Sequence, residues 1–202
     1  MLNINYASVI DPVLHHTRTR LPGFAGMKAG DRVLDVCCGS GAQVYEYLRK
    51  GIAAQGLDID PHMLALAKRY YSTPGAAPDT FIEGDAAHMP FPDGSFDFTS
   101  ISLALHDKDT TLAYAIVAEM KRVTRQGGMI VFLDYSMPLP RSLKGFLIRA
   151  TERLAGGEHF RNFNGYLENG GLDRITENNG LAAVKTERLL GGNITLVLAK
   201  NG

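Results

Sequence analysis

The sequence predicts an α/β fold built on a doubly wound, mainly parallel sheet, and three observations carry that expectation. The apolar run Val33-Leu34-Asp35-Val36 leads into Cys37-Cys38-Gly39-Ser40-Gly41, and a second run, Gly56-Leu57-Asp58-Ile59-Asp60, follows it. Each reads as a strand ending in a loop that bears an acid. The third observation is the alternation of strand-like and helix-like segments through the middle of the chain, which implies right-handed crossovers and helices on both faces of a sheet. In such sheets ligands bind at the carboxyl ends of the strands. Glycine there admits a ligand close to the backbone, and a carboxylate after the second strand accepts from ribose hydroxyls.

In chain order, strands are expected near 32–37, 53–58, 80–84, 96–102 and 127–134, and helices near 41–50, 61–70 and 109–124. Asp60 before Pro61 is a helix start with a cap and a first-turn proline, and Asp109-Thr110 is a second capped start. Asp11-Pro12 opens a short helix through Arg20 that Pro22-Gly23 stops. Residues 181–188 and 194–200 flank Gly191-Gly192 and read as a closing hairpin.

The glycine loop narrows the ligand. A dinucleotide fold supplies three glycines for turn, pyrophosphate approach and helix packing. This loop has two, with Cys37 standing where the first is expected, and Ala42-Gln43-Val44-Tyr45 brings no Lys or Arg to a phosphate. A phosphate-free nucleoside ligand fits better. A further segment, Thr80-Phe81-Ile82-Glu83-Gly84-Asp85-Ala86-Ala87-His88-Met89-Pro90-Phe91-Pro92-Asp93-Gly94-Ser95-Phe96-Asp97, has unusually specific spacing, and Glu119 to Val131 gives a helix, a glycine turn and a strand.

In this motif order, over roughly 30–135, the chain resembles the class I S-adenosylmethionine-dependent methyltransferases, most of all the subgroup of ubiquinone and menaquinone C-methyltransferases (methyltransferase type 11). The resemblance implies a Rossmann-like seven-stranded sheet, mostly parallel with an antiparallel C-terminal strand, and S-adenosyl-L-methionine as cofactor. It implies that Asp35, Cys37, Gly39 and Gly41 form the first cofactor loop, that Asp58 binds the ribose, and that Ile59 and Met63 line the cofactor pocket. Gly84, Asp85 and Ala86 then meet the adenine, and Leu103 after the fourth strand completes the set. His106, in Leu103-Ala104-Leu105-His106-Asp107, stands where the family places substrate-facing side chains and is the candidate catalytic base.

A chain of 202 residues with 45% hydrophobic content suits a single methyltransferase domain, 1–202. Within it, residues 1–30 are expected to form a lid, and 135–172 a substrate-side insertion containing a cationic amphipathic helix near 141–154. Tyr6, Tyr135 and Tyr166 are the candidate substrate contacts, against the ordinary alternative that buried aromatics are core. Equal numbers of acidic and basic residues, 21 each, make a nucleic-acid partner unexpected. No apolar run is long enough to span a bilayer, and Met1-Leu2-Asn3-Ile4-Asn5 lacks a basic leader, so a cytoplasmic location is expected. Peripheral membrane contact through Arg141, Lys144, Arg149 and Arg153 is the alternative to a solvated helical face.

No metal site is expected. Cys37-Cys38 lacks further ligands at useful spacing, and His15-His16 point in different directions on a helix. The function expected is methyl transfer to a small aromatic or lipophilic acceptor, with a non-catalytic S-adenosylmethionine- or S-adenosylhomocysteine-binding module as the alternative. A nicotinamide oxidoreductase lacks its third glycine here, and an aminopropyl transferase lacks the acids for a polyamine.

Overall fold

A computed structural model describes residues 6–71, 77 and 79–202, with side chains from Leu14 onward. The chain divides into two compact units, one ending at Ala86 and one beginning at Ala87.

In the first unit, β1 (Arg32–Val36), β2 (Ala53–Asp58) and β3 (Phe81–Glu83) are parallel, in the order β3-β2-β1. Arg32 to Val36 pair with Ala53 to Leu57, and Gly56 to Asp58 with Phe81 to Glu83. Val33, Leu34 and Val36 are fully buried, as parallel strands covered on both faces require. Helix α1 is Tyr6–Ala25, α2 is Ala42–Leu48 and α3 is Pro61–Tyr71. Asp60 caps α3 as expected: its carboxylate accepts from the His62 amide at 2.8 Å, and Pro61 is the first helical residue.

Helix α1 differs from the expectation at both ends, running through Pro12 and through Pro22-Gly23. Its stop lies at Gly26, in the left-handed region at φ 72°. The Gly26 amide donates to Gly23 O and the Met27 amide to Pro22 O, the paired bonds of a Schellman end. The terminating signal is therefore the glycine that closes the carbonyls, three residues beyond the dipeptide that reads as a breaker.

In the second unit, β4 (Phe96–Ser102) pairs in parallel with β5 (Thr124–Tyr135). β7 (Ile194–Lys200) runs antiparallel to β5, and β6 (Ala182–Leu189) antiparallel to β7, giving the order β4-β5-β7-β6. The expected closing hairpin is present and its last strand reverses direction. Helix α4 (Thr110–Val123) starts where the sequence places it, with the Asp109 carboxylate accepting from the Leu112 amide at 3.0 Å. The chain thus has the expected Rossmann-like seven-stranded architecture, mostly parallel with an antiparallel C-terminal strand.

The segment after β5 is more ordered than the sequence suggests. Helix α5 (Leu143–Leu154) matches the amphipathic stretch, but α6 (Gly157–Glu168) and α7 (Gly171–Asn178) follow it. The glycines at 156–157 and 170–171 read as loop and instead separate helices; α6 buries Phe163, Tyr166 and Leu167, spaced three and four apart. Helix α5 turns much of its apolar surface outward along with its basic residues. Leu143, Phe146, Leu147 and Leu154 are more than half exposed, and only Gly145 and Glu152 are buried.

Candidate functional site

The expected cofactor residues of the first unit meet at the ends of β1, β2 and β3. Asp58 closes β2, and its carboxylate is fixed from two sides: the Gly39 amide donates to Oδ2 at 2.7 Å and the Asp60 amide to Oδ1 at 3.0 Å. The Gly84 amide donates to the Asp58 carbonyl at 3.0 Å, which ties the β3 loop to the same point. Each carboxylate oxygen has two lone pairs, so one on each remains for a ligand's hydroxyls.

Cys37 adopts φ 55°, the left-handed conformation that its glycine-like place demands, at a strain of about 1–2 kcal/mol. The loop keeps its glycine geometry without the glycine. Gly41, at φ 79°, has no room for a side chain: a Cβ there would lie 2.6 Å from the Phe81 ring and 2.8 Å from Ala67 Cβ. Gly39 is different, because the Met63 methyl at 3.4 Å is the one atom within 4 Å of such a Cβ. Ile59, immediately after Asp58, is 70% exposed. Asp85 is exposed, Ala86 is buried, and Asp35 is buried within β1 opposite Gly56. Cys38 packs under the loop. Burial, with the charges of Asp35 and Asp58, pushes its thiol far above the ordinary range and keeps it protonated.

The second unit holds the remaining expected residues. Leu103 follows β4 at φ 52°, its amide donating to Leu133 O at 2.7 Å. His106 is 3% exposed, with its ring centroid 4.6 Å from Tyr135, 6.2 Å from Phe163 and 6.4 Å from Tyr166. The three residues His106, Tyr135 and Tyr166 therefore belong to one cluster, in which the Tyr166 hydroxyl donates to Tyr135 O at 2.8 Å. Burial, together with the charge of Asp134, pushes that hydroxyl well above its usual range and keeps it a donor. Tyr6 is the first residue of α1, and its side chain lies outside the described residues.

Three polar partners in this cluster carry no sequence motif. Asp134, at the end of β5, accepts from the amides of Leu105, His106 and Tyr135 and lies 2.7 Å from His106 Nδ1. Glu152 is the inward residue of α5; its Oε1 accepts from the Tyr135 hydroxyl at 2.6 Å, and its Oε2 lies 3.7 Å from His106 Nε2. His159 Nε2 is hydrogen-bonded to that same Oε2, and its Nδ1 is 3.9 Å from Asp107 Oδ2. Burial disfavours charge on His106, but the charge and hydrogen bond of Asp134, with Glu152 and Asp107 beyond, outweigh it and hold the imidazole pKa above its ordinary value. An open groove of about 620 Å³ in this unit, lined by Met137, Pro138, Asn169 and Arg174 among others, contains none of the expected site residues.

Comparison with known proteins settles the family. The methyltransferase domain family matches residues 34–132. A demethylmenaquinone methyltransferase of Bacillus velezensis is 30% identical over 82% of this chain and 77% of its own length. The chain belongs to the class I S-adenosylmethionine-dependent methyltransferases. A second demethylmenaquinone methyltransferase, from Beutenbergia cavernae, is 38% identical over 56% of this chain, and there the chain spans 44% of the relative's length. A solved protein of Pyrococcus horikoshii OT3 has a similar fold, with a TM-score of 0.70 at 17% identity over 98% of this chain and 92% of its own.

Proposed function

We propose that this methyltransferase binds S-adenosyl-L-methionine through the loops of its first unit and methylates a small aromatic or lipophilic acceptor, for which a reduced quinone is the leading chemical class. The observation that carries the cofactor assignment is Asp58, fixed by two backbone amides with a lone pair left on each oxygen, beside the exposed Ile59. Asp58 would hold the two ribose hydroxyls. Ile59 and Met63 would cover the adenine, Asp85 and the backbone of Gly84 and Ala86 would meet its polar edge, and Asp35, Cys37, Gly39 and Gly41 would shape the loop around the amino-acid end. Leu103, after β4 in the second unit, is the remaining cofactor candidate.

When bound, the cofactor supplies a sulfonium methyl that passes to a nucleophilic carbon, nitrogen or oxygen, leaving S-adenosylhomocysteine. The chain contributes alignment and dryness; orienting two reactants contributes roughly 7–11 kcal/mol in favourable cases. His106, Tyr135 and Tyr166 supply a buried, aromatic setting that suits a flat apolar acceptor, and the names of the curated relatives agree with a quinone-like molecule. In this setting His106 is the acceptor-facing polar group, oriented by Asp134, with residues 1–30 and 135–172 setting acceptor choice.

Calorimetry with S-adenosylmethionine, S-adenosylhomocysteine and NADH tests the cofactor, and transfer of labelled methyl to quinols, phospholipids and small amines tests the reaction. Binding of NADH but neither sulfur nucleotide overturns the assignment; cofactor binding without transfer to any acceptor favours the non-catalytic module. His106→Ala and Tyr166→Phe are expected to leave cofactor affinity within about threefold, near 0.65 kcal/mol, while turnover or acceptor affinity falls.

A further inference from the structure

Three side chains of the second unit converge in a way that neither acceptor binding nor proton transfer requires. We propose that His106 Nε2, Glu152 Oε2 and His159 Nε2 form a binding site for one divalent transition cation of the zinc, iron(II) or manganese(II) type. The three atoms lie within 4.8 Å of one another, with Glu152 Oε2 3.7 Å from His106 Nε2 and in contact with His159 Nε2. Two imidazoles and one carboxylate are the donor set such ions take in sites that keep open positions. Calcium and magnesium prefer all-oxygen surroundings.

The outward atoms of the same side chains are what distinguish a coordination site from an accidental cluster. His106 Nδ1 is held by Asp134 at 2.7 Å, Glu152 Oε1 by the Tyr135 hydroxyl at 2.6 Å, and His159 Nδ1 faces Asp107 Oδ2 at 3.9 Å. Two of the three ligands thus have their far atom held by a hydrogen-bonding partner, and the third has a carboxylate within ion-pair distance. A carboxylate on the far nitrogen of a histidine is the usual support of a metal-bound imidazole. Asp134 accepts three backbone amides, so its oxygens are acceptors and a proton on His106 Nδ1 faces it, while a metal bound at Nε2 takes the place of any proton there. Glu152 and Asp134 are both buried, and a dication offsets the unfavourable burial of two carboxylates. Tyr135, Phe163 and Tyr166 supply a dry wall around the group. On the methyl-transfer reading, the cation's open positions would take an acceptor oxygen and make it a better nucleophile; the site itself does not depend on that reading.

The test uses the full chain stripped with a chelator and dialysed, titrated with Zn2+ by calorimetry and with Co2+ by visible absorption, with no cofactor or acceptor present. The expected result is one equivalent per chain with a ligand-field spectrum of mixed nitrogen and oxygen donors, unaffected by excess Mg2+. Glu152→Gln and His159→Ala are each expected to weaken binding more than tenfold, and Asp134→Asn, acting through His106, about 10- to 100-fold. His159 is partly exposed, so its alanine variant is expected to fold even if a variant of a more buried partner does not. His62→Ala, on exposed α3, is expected to change nothing. Binding that is absent, or that persists undiminished in Glu152→Gln and His159→Ala, overturns the proposal. Because S-adenosylhomocysteine titration is a separate measurement, a missing metal site and a wrong cofactor assignment give different results.

Discussion

Replacing Asp58 with alanine removes a side chain that fixes two loop amides and, on the proposed reading, also holds the ribose of the cofactor. Two backbone amides lose a charged acceptor, Gly39 at 2.7 Å and Asp60 at 3.0 Å. A hydrogen bond to a charged group contributes about 1.5–3 kcal/mol, and because Asp58 is only half-buried the lower end applies to each. For a chain of this size, a loss of a few kcal/mol lowers the melting temperature by roughly 2–4 °C per kcal/mol. Separately, the lost ribose hydrogen bonds are expected to reduce S-adenosylhomocysteine affinity by about 1.5–3 kcal/mol, roughly 10- to 150-fold. Asp58→Asn keeps one acceptor oxygen and the side-chain shape, so it should fall between. Calorimetric titration of S-adenosylhomocysteine, paired with thermal melts of all three proteins, separates the two effects. If the alanine variant melts earlier but its Kd stays within about threefold, near 0.65 kcal/mol, Asp58 only orders the loop and the ribose assignment is refuted.

Gly41→Ala combines left-handed backbone strain of about 1–2 kcal/mol with a Cβ 2.6 Å from Phe81, and overpacking adds about 1–3 kcal/mol. A urea midpoint equal to that of the natural chain contradicts the close packing described. Ile59→Ser is expected to leave folding stability within about 0.5 kcal/mol, since the residue is 70% exposed, while S-adenosylhomocysteine binding weakens about fivefold, near 1 kcal/mol. The reverse pattern would make Ile59 a packing residue. Arg122 hydrogen-bonds both oxygens of Glu119 at 2.7 Å and holds that carboxyl below its ordinary 4.5, with the Met89 amide helping against burial. The stability this gives is complete above pH 4.5 and is lost as pH falls through the lowered folded value, so Arg122→Ala should flatten the acid limb of a stability-versus-pH curve. An unchanged acid limb in that variant removes Glu119 from acid unfolding.

How much of this was legible in the sequence depends on how far apart the partners lie. The loops after β1 and β2 were legible as loops because strand, acid and glycine are consecutive: Asp35, Gly39 and Asp58 are placed by short β-α-β segments whose order is itself the signal. Asp60 and Asp109 were legible as caps because a cap acts on amides two or three positions away. The polar cluster was not legible. Asp134 reaches His106 across 28 residues, and Glu152 reaches His159 only after the chain breaks between α5 and α6, so no periodicity links them. Glu152 did leave a trace, as the one acid in a helix whose other charges are basic, but sequence alone gives no reason to turn that residue inward. Helix α1 escaped its expected limits because proline disfavours a helix interior without forbidding it, whereas Gly26 supplies positive bonds that end one.

The outward apolar surface of α5 has a mechanical side. Most helices are held to a domain by an apolar stripe, and their attachment is insensitive to solutes that titrate or compete for charge. Helix α5 turns Leu143, Phe146, Leu147 and Leu154 away from the protein and is anchored by the Glu152 carboxylate and by the close seat of Gly145, where a Cβ would lie 2.0 Å from Pro140 O. Part of its attachment is therefore electrostatic and steric in kind, and that part runs through Glu152. The chain has, in effect, made the hold on one of its outer walls conditional on the chemistry inside.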